Sequence, residues 1–301
     1  MNTAAVPTGT STHTTTENPT MDASTPHATV TGGVQPVDAV PLPAGRAGFG
    51  VAALTVAGRS IRQFRRTPQL IVVGALTSAM FLLIFRFVFG GAIEVGGVAY
   101  ANFLIPALAV TTGLFATGAV GLAEDLEGGV IDRFRSLPVP RSSILVGRSL
   151  ADTVLATWGT ATTLVLGFAV GFRPQGSAAE ALAALGLCLL FGAVFTWPMI
   201  TIGLVSGTGQ AAQGMSFLVF PFVFVSSAYV PVDSMPGWLQ PVAEHQPVTA
   251  MIGAVRALTI GPDAESVLGH SAGWYTMRAL AWSAVIVAVF ATIAARRFAR
   301  L

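Results

Sequence analysis

The sequence predicts an all-α integral membrane protein. Three observations carry this. Over 301 residues, 53% are hydrophobic and only 10% are charged. The mean hydropathy is +0.70, beyond what a water-soluble domain of ordinary composition reaches. Six apolar stretches, near 69–90, 98–122, 149–172, 179–205, 212–231 and 275–295, are each long enough to cross a membrane, since a hydrocarbon core of ~30 Å needs roughly 20 helical residues.

Residues 1–45 come first and are rich in Thr, Pro, Ser and Ala, with no basic residue and no apolar periodicity. Such a segment buries too little to order itself, and it lacks the charged start and apolar core of a secretory signal. It reads as a disordered tail, and residues 46–301 as the membrane domain. Within "GFGVAALTVAGRSIRQFRR", residues 48–66, Val51, Leu54, Ile61 and Phe64 share one side of a helix, with Arg59, Arg62 and Arg66 on another. A basic amphipathic helix of this kind lies in the membrane interface, and Pro68 separates it from the first span.

Arginine sets the orientation. All 16 basic residues are arginine. With both termini in the cytoplasm, twelve lie inside and four, Arg86, Arg173, Arg256 and Arg278, lie outside, the bias that cytoplasmic loops show. Pro198 and Pro221 fall within the fourth and fifth stretches, as membrane helices tolerate. Before the sixth, "GWLQPVAEHQP" and "VTAMIGAVRAL" are half-apolar, too short to span, and set between Pro and Gly. They read as re-entrant or interfacial helices on the outer side.

Several chemistries are absent from the sequence. Without lysine there is no Walker A site, so any ATP is bound by another chain. The four histidines form no metal-binding pattern, and there is no nucleophile elbow. Glu94, Asp125, Asp132, Asp152, Glu180 and Arg86 lie near span ends or in loops. The middles of the spans therefore lack the ionisable groups of a proton-coupled carrier or of a membrane-embedded enzyme.

One charged segment remains, "EDLEGGVIDRFRSLPVPRSS" from Glu124 to Ser143, on the cytoplasmic side between the second and third stretches. Val130, Ile131, Phe134 and Leu137 recur at helical spacing, Asp132, Arg133 and Arg135 take other faces, and Pro138 and Pro140 end the helix. A short helix with an apolar knob and flanking charges suits a partner's groove. It equally suits a connector lying on lipid headgroups, and the residue pattern leaves both open.

Residues 122–152, "LAEDLEGGVIDRFRSLPVPRSSILVGRSLAD", resemble the corresponding segment of type-2 ABC exporter permeases, in particular the daunorubicin- and doxorubicin-resistance branch. The resemblance extends over about 48–301 and includes Pro247 followed by Arg256 after a stretch holding Pro231, Pro236 and Trp238. Val248 and Ala250 depart from the branch's usual pattern.

The resemblance implies the type-2 permease fold: six spans, an interfacial helix before them, a cytoplasmic coupling helix and outer re-entrant helices. It implies pairing with an ABC ATP-binding subunit that holds ATP and magnesium, and with a second permease, a copy or a paralogue, in the plasma membrane. Nucleic acid is not an expected partner, and no catalytic or metal-binding residue is expected in this chain. Glu124, Asp125, Glu127, Asp132, Arg133, Phe134, Arg135 and Leu137 become the expected contact with the ATPase.

For the pathway the candidates are Asn102, Phe217, Phe220 and Phe224. The phenylalanines suit either an apolar pathway or plain packing against helices and lipid, and Asn102 either the pathway or a helix–helix hydrogen bond. The expected cargo is a hydrophobic or amphiphilic compound. The alternative cargo, a polysaccharide or lipid-linked glycan, would favour Trp and Tyr over Phe.

Overall fold

The computed structural model describes residues 48–91, 93, 97–114, 118–131 and 140–301. The N-terminal tail and the segment with Asp132, Arg133, Phe134, Arg135 and Leu137 lie outside the described residues. Those described are helical or irregular, without a strand.

Helix α1 (Phe49–Arg66) packs on α5 (Arg141–Ala169) through its small residues, Ala52, Ala53 and Ala57. The approach is close: a Cβ on Gly147 of α5 would lie 2.8 Å from Val56 Cβ. Small residues let helix backbones approach where lipid removes the hydrophobic drive between helices. The large residues point elsewhere, with Val51 65% and Leu54 67% exposed. The apolar side expected of an interfacial helix is thus turned outward, and a second, alanine-lined side docks.

Pro68, whose missing N–H has no intrahelical partner to lose at a helix start, opens α2 (Pro68–Leu83). The helix runs on as a π-helical segment, Ile84–Phe89. Little of this span is buried within the chain: Val72, Val73, Leu76, Phe87 and Val88 are all exposed. Helix α3 (Tyr100–Leu114) is the opposite, buried at nearly every position. It lies between α5, α6 (Ala178–Ser206) and α10 (Pro247–Ile260). A Cβ on Gly113 of α3 would lie 3.1 Å from the Cα of Gly192 on α6, so glycine is what permits this crossing. Helix α4 (Gly118–Glu127) continues the second apolar stretch and packs on α6 and α7 (Gly209–Ser216).

A capping box starts α6: Glu180 N–H donates to Ser177 Oγ at 3.3 Å, and Ser177 N–H donates to Glu180 Oε2 at 2.6 Å, satisfying two otherwise orphan donors. Gly207, at φ 76°, ends it. The expected fifth span, 212–231, is not one regular helix. It is α7 followed by α8 (Val219–Phe224), with Phe217 and Leu218 between them bonding back three residues, to Gly214 and Met215. Pro221 has no N–H to offer the Phe217 carbonyl, and Phe220 N–H takes that carbonyl instead at 3.0 Å.

The late loop holds α9 (Gln240–His245), α10 and α11 (Ala264–Leu268) before α12 (Ala272–Arg300). Helix α10 has 14 residues, about 21 Å, too short to cross. Among the described residues, four stretches are long and apolar enough to span: Ile71–Phe89, Tyr100–Glu127, Ala178–Ser206 and Ala272–Arg300. Helix α5, also 29 residues long, is more polar because it carries Arg141, Arg148 and Asp152.

The largest apolar cluster joins α3, α6, α10 and α12. A second, Leu122, Ile131, Ile144, Leu145, Ile200, Leu204, Ala294 and Phe298, ties the other ends of α4, α5, α6 and α12 together. Ile131, read from the sequence as part of the charged segment's apolar face, is buried there.

Candidate functional site: a cavity and the ion cluster beneath it

A cavity of about 380 Å³ lies between α2 and the α7–α8 pair, backed by α3. Its rings are Phe81, Phe217, Phe220 and Tyr229, and its hydroxyls and amide are Thr77, Ser78, Thr111, Thr112, Thr163, Ser216 and Gln213. Among the described residues, none that lines it is Asp, Glu, Arg or His. Most of the hydroxyls hold hydrogen bonds already. Thr112 Oγ1 lies 3.0 Å from Thr163 Oγ1 and donates to Leu108 O at 2.7 Å, and Ser216 Oγ donates to Ala212 O at 2.8 Å. Such groups present oxygen lone pairs and a polarised wall without a net charge.

Aromatic contacts continue beyond the cavity. Phe217 and Phe220 stack at 5.5 Å, Phe220 and Phe224 at 6.2 Å, and Phe224 meets Tyr229 at 5.0 Å. Tyr229 stacks at 4.2 Å on Phe85 of the π-helical segment. Of the four pathway candidates, Phe217 and Phe220 line the cavity, while Phe224 stands behind Phe220. Asn102 is buried elsewhere: its Oδ1 accepts from the Arg173 N–H at 3.1 Å and ties α3 to the α5–α6 loop.

Arg256 of α10 holds the floor of the late loop. It is 1% exposed. Its Nε donates to Phe103 O at 2.7 Å, Nη1 to Ser227 O at 2.7 Å and Nη2 to Ala228 O at 2.9 Å. Its guanidinium lies 3.3 Å from the Phe103 ring centroid. The turn after α8 leaves carbonyls without helical donors, and one planar fork satisfies them. Thr249 adds a bond from the Ser227 N–H at 3.1 Å.

At the end of α4, Asp125 and Glu127 of the charged segment have partners within the chain. Asp125 accepts from Arg59 of α1 at 3.0 Å and from Arg148 of α5 at 3.3 Å. Arg148 also donates to Asp152 at 3.2 Å and to Gly118 O at 3.0 Å. Glu127 Oε2 accepts from the Gly209 N–H at 3.2 Å, where α7 begins. Glu124 is exposed.

Sequence reading missed Arg59, Arg148 and Asp152 as site residues. The four-residue spacing of Arg148 and Asp152 was the available signal for one ion pair. Among the described residues, no group of three or more His, Cys, Asp or Glu side chains is placed to hold a metal ion.

Comparison with known proteins follows the same lines. A model of the ABC-2 type transporter family matches residues 52–260. A daunorubicin resistance ABC transporter permease protein, DrrB1, of Streptomyces coeruleorubidus is 31% identical over 250 residues, 82% of this chain and 86% of that protein. A probable doxorubicin resistance ABC transporter permease protein, DrrC, of Mycobacterium tuberculosis is 30% identical over 162 residues, 52% of this chain and 58% of the other. A probable multidrug ABC transporter permease, YbhR, of Escherichia coli is 26% identical over 157 residues, 50% of this chain and 41% of the other.

Proposed function

The chain belongs to the ABC-2 type transporter family, and on that footing we propose that it is the permease of an exporter for hydrophobic or amphiphilic compounds, driven by ATP hydrolysed on a separate subunit. The permease is a transport subunit and not itself an enzyme. The observation that carries the cargo class is the cavity between α2 and α7–α8. Its volume of about 380 Å³ is that of a site for a drug-sized molecule, and its wall mixes rings with uncharged hydroxyls. A polysaccharide or lipid-linked glycan fits less well, because three of the four lining rings are Phe.

In this reading the chain crosses the plasma membrane six times, by Ile71–Phe89, α3–α4, α5, α6, the α7–α8 path and α12. Both termini face the cytoplasm, and α9 and α10 dip into the outer leaflet. The exposed side of α2 meets lipid or a second permease, a copy of this chain or a paralogue. Segment 124–137 is the coupling helix. Phe134 is the knob that enters a groove of the ATP-binding subunit, Asp132, Arg133, Arg135 and Glu124 set its register, and Leu137 closes its apolar face. Asp125 and Glu127 anchor that segment to the rest of the permease. ATP and magnesium reside in the partner.

Phe134→Asp tests this reading. The variant should insert and assemble, and its complex should still hydrolyse ATP, but efflux of daunorubicin from cells should be lost. Efflux at the parent's level would sink the assignment of the coupling helix.

A further inference from the structure

We propose that the ion cluster of Arg59, Asp125, Arg148 and Asp152 passes movement of the coupling segment to the wall of the cavity, with Arg148 as the positioning residue. The proposal rests on the exporter reading above and adds to it the route by which the segment and the cavity communicate.

The geometry is that of a junction. Arg148 uses three different nitrogens on three partners: Nη1 on Asp125, Nε on Asp152 and Nη2 on Gly118 O. Asp125 stands seven residues before Asp132, so it is reached first by any displacement of the segment that follows it. Gly118 stands between Leu114 and Val120, and both line the cavity. Arg148 therefore holds the segment's root with one nitrogen and the backbone of the cavity wall with another.

Two glycines of α4 make room for it. A Cβ on Gly118 would overlap the Asp152 carboxylate, and one on Gly121 would lie 2.7 Å from Arg148 Nη2. From the other end, Arg59 brings α1 into the same set.

A second tether runs to the α7 side. Glu127 holds the first residue of α7, four residues before Gln213 and seven before Ser216, which line the cavity. Glu124 packs against the same Gly209: a Cβ there would lie 2.9 Å from Glu124 Cγ. The back of the cavity and its α7 side thus hang from residues 124–127.

Stability alone does not explain the cluster. The Asp152 side chain is 3% exposed and that of Arg148 11%. Taking such charges out of water costs about as much as their attraction returns, and well-packed apolar residues serve equally for stability. A planar guanidinium with three fixed directions does supply register. It makes α1, α4 and α5 move together, and a displacement at one reaches the others through bonds of set direction.

The test uses the full chain with Cys188→Ala and Gln213→Cys, labelled at that cysteine with an environment-sensitive fluorophore. It is assembled in nanodiscs with the ATP-binding subunit that copurifies. ATP with vanadate should change the label's fluorescence in the parent. Arg148→Met should shrink that change by at least about fivefold, the lower range of a site-to-site coupling, while the complex continues to hydrolyse ATP. Arg148→Lys should keep part of the signal. Asp125→Asn, which weakens the acceptor that Arg59 and Arg148 share, should lose signal to a similar degree.

A full-sized change in Arg148→Met or in Asp125→Asn overturns the proposal. Should Arg148→Met fail to fold, Arg59→Gln at the half-exposed end of the cluster decides it: an undiminished signal there overturns it equally. If the parent binds no ATPase, the exporter reading itself has failed, and this shows before any variant is made.

Discussion

Replacing Arg256 with methionine should detach α10 from the centre of the molecule. Methionine fills much of the stem's volume but removes the donors that the carbonyls of Ser227 and Ala228 have at 2.7 and 2.9 Å, while the Phe103 carbonyl, inside α3, keeps the helical N–H four residues on. An unsatisfied buried acceptor costs about 1–3 kcal/mol, so two cost about 4 kcal/mol at the midpoint. Loss of the cation stacked on Phe103 adds about 1–2 kcal/mol. Against this, the variant no longer buries a cation, which returns several kcal/mol. The net loss is about 2 kcal/mol, or roughly 3 °C in melting temperature at an unfolding entropy of ~2 cal/mol/K per residue. Thermal unfolding of the purified protein in one detergent, followed by size-exclusion recovery, measures it. Arg256→Lys keeps the charge but not the fork and should fall between the two. A methionine variant that melts within about 1 °C of the parent would show that the two carbonyls find other donors, and the account of Arg256 as their common clamp would be wrong.

Phe220→Ala should weaken binding of daunorubicin to the chain in nanodiscs by about 5–30-fold, the equivalent of roughly 1–2 kcal/mol of lost ring contact. Fluorescence titration reads this, and unchanged affinity would remove Phe220 from the cargo site. Gly113→Leu should destabilise by about 1–3 kcal/mol through overpacking, because a Cβ there already lies 3.1 Å from Gly192 Cα. A melting point equal to the parent's would show that α3 and α6 can separate freely. Ser177→Ala should cost about 1 kcal/mol at the start of α6, seen as faster hydrogen exchange at Ala178–Glu180 with the rest of the helix unaffected.

Four of the six apolar stretches were legible because each is a long run whose composition admits one explanation. The position of α10 was also legible, since Pro247 and Gly261 bracket it. The break in 212–231 had a visible cause in Pro221, but tolerance of proline in membrane helices hid whether it would bend or interrupt. In α1 the spacing of Val51, Leu54, Ile61 and Phe64 gave the amphipathic helix, yet the docking side is made of alanines, which carry little weight in a hydropathy pattern.

The ion cluster shows the same limit. Arg148 and Asp152 are four apart and readable, whereas Asp125 meets Arg59 across 66 positions, and no local pattern encodes that. Asn102 was legible as a polar residue in an apolar run. Its partner, a backbone N–H 71 positions away, was not. Phe217 and Phe220 were found as rings on one side of a helix, but the hydroxyls that face them come from α2, α3 and α5, and only the fold collects those.

The π-helical turn at Ile84–Phe89 gives the first span an unusual tolerance to editing. In an α-helix, deleting one residue swings everything beyond it by about 100° and draws it in by about 1.5 Å, which in a packed span misplaces a whole face. A π-turn carries the extra residue already. One position can be removed between 84 and 89 and the helix can close into regular α geometry, with the sides presented by Gly74–Phe81 left where they were. The same deletion a few residues earlier has no such reserve. The first span can therefore change its length in one place without changing what it shows to the cavity.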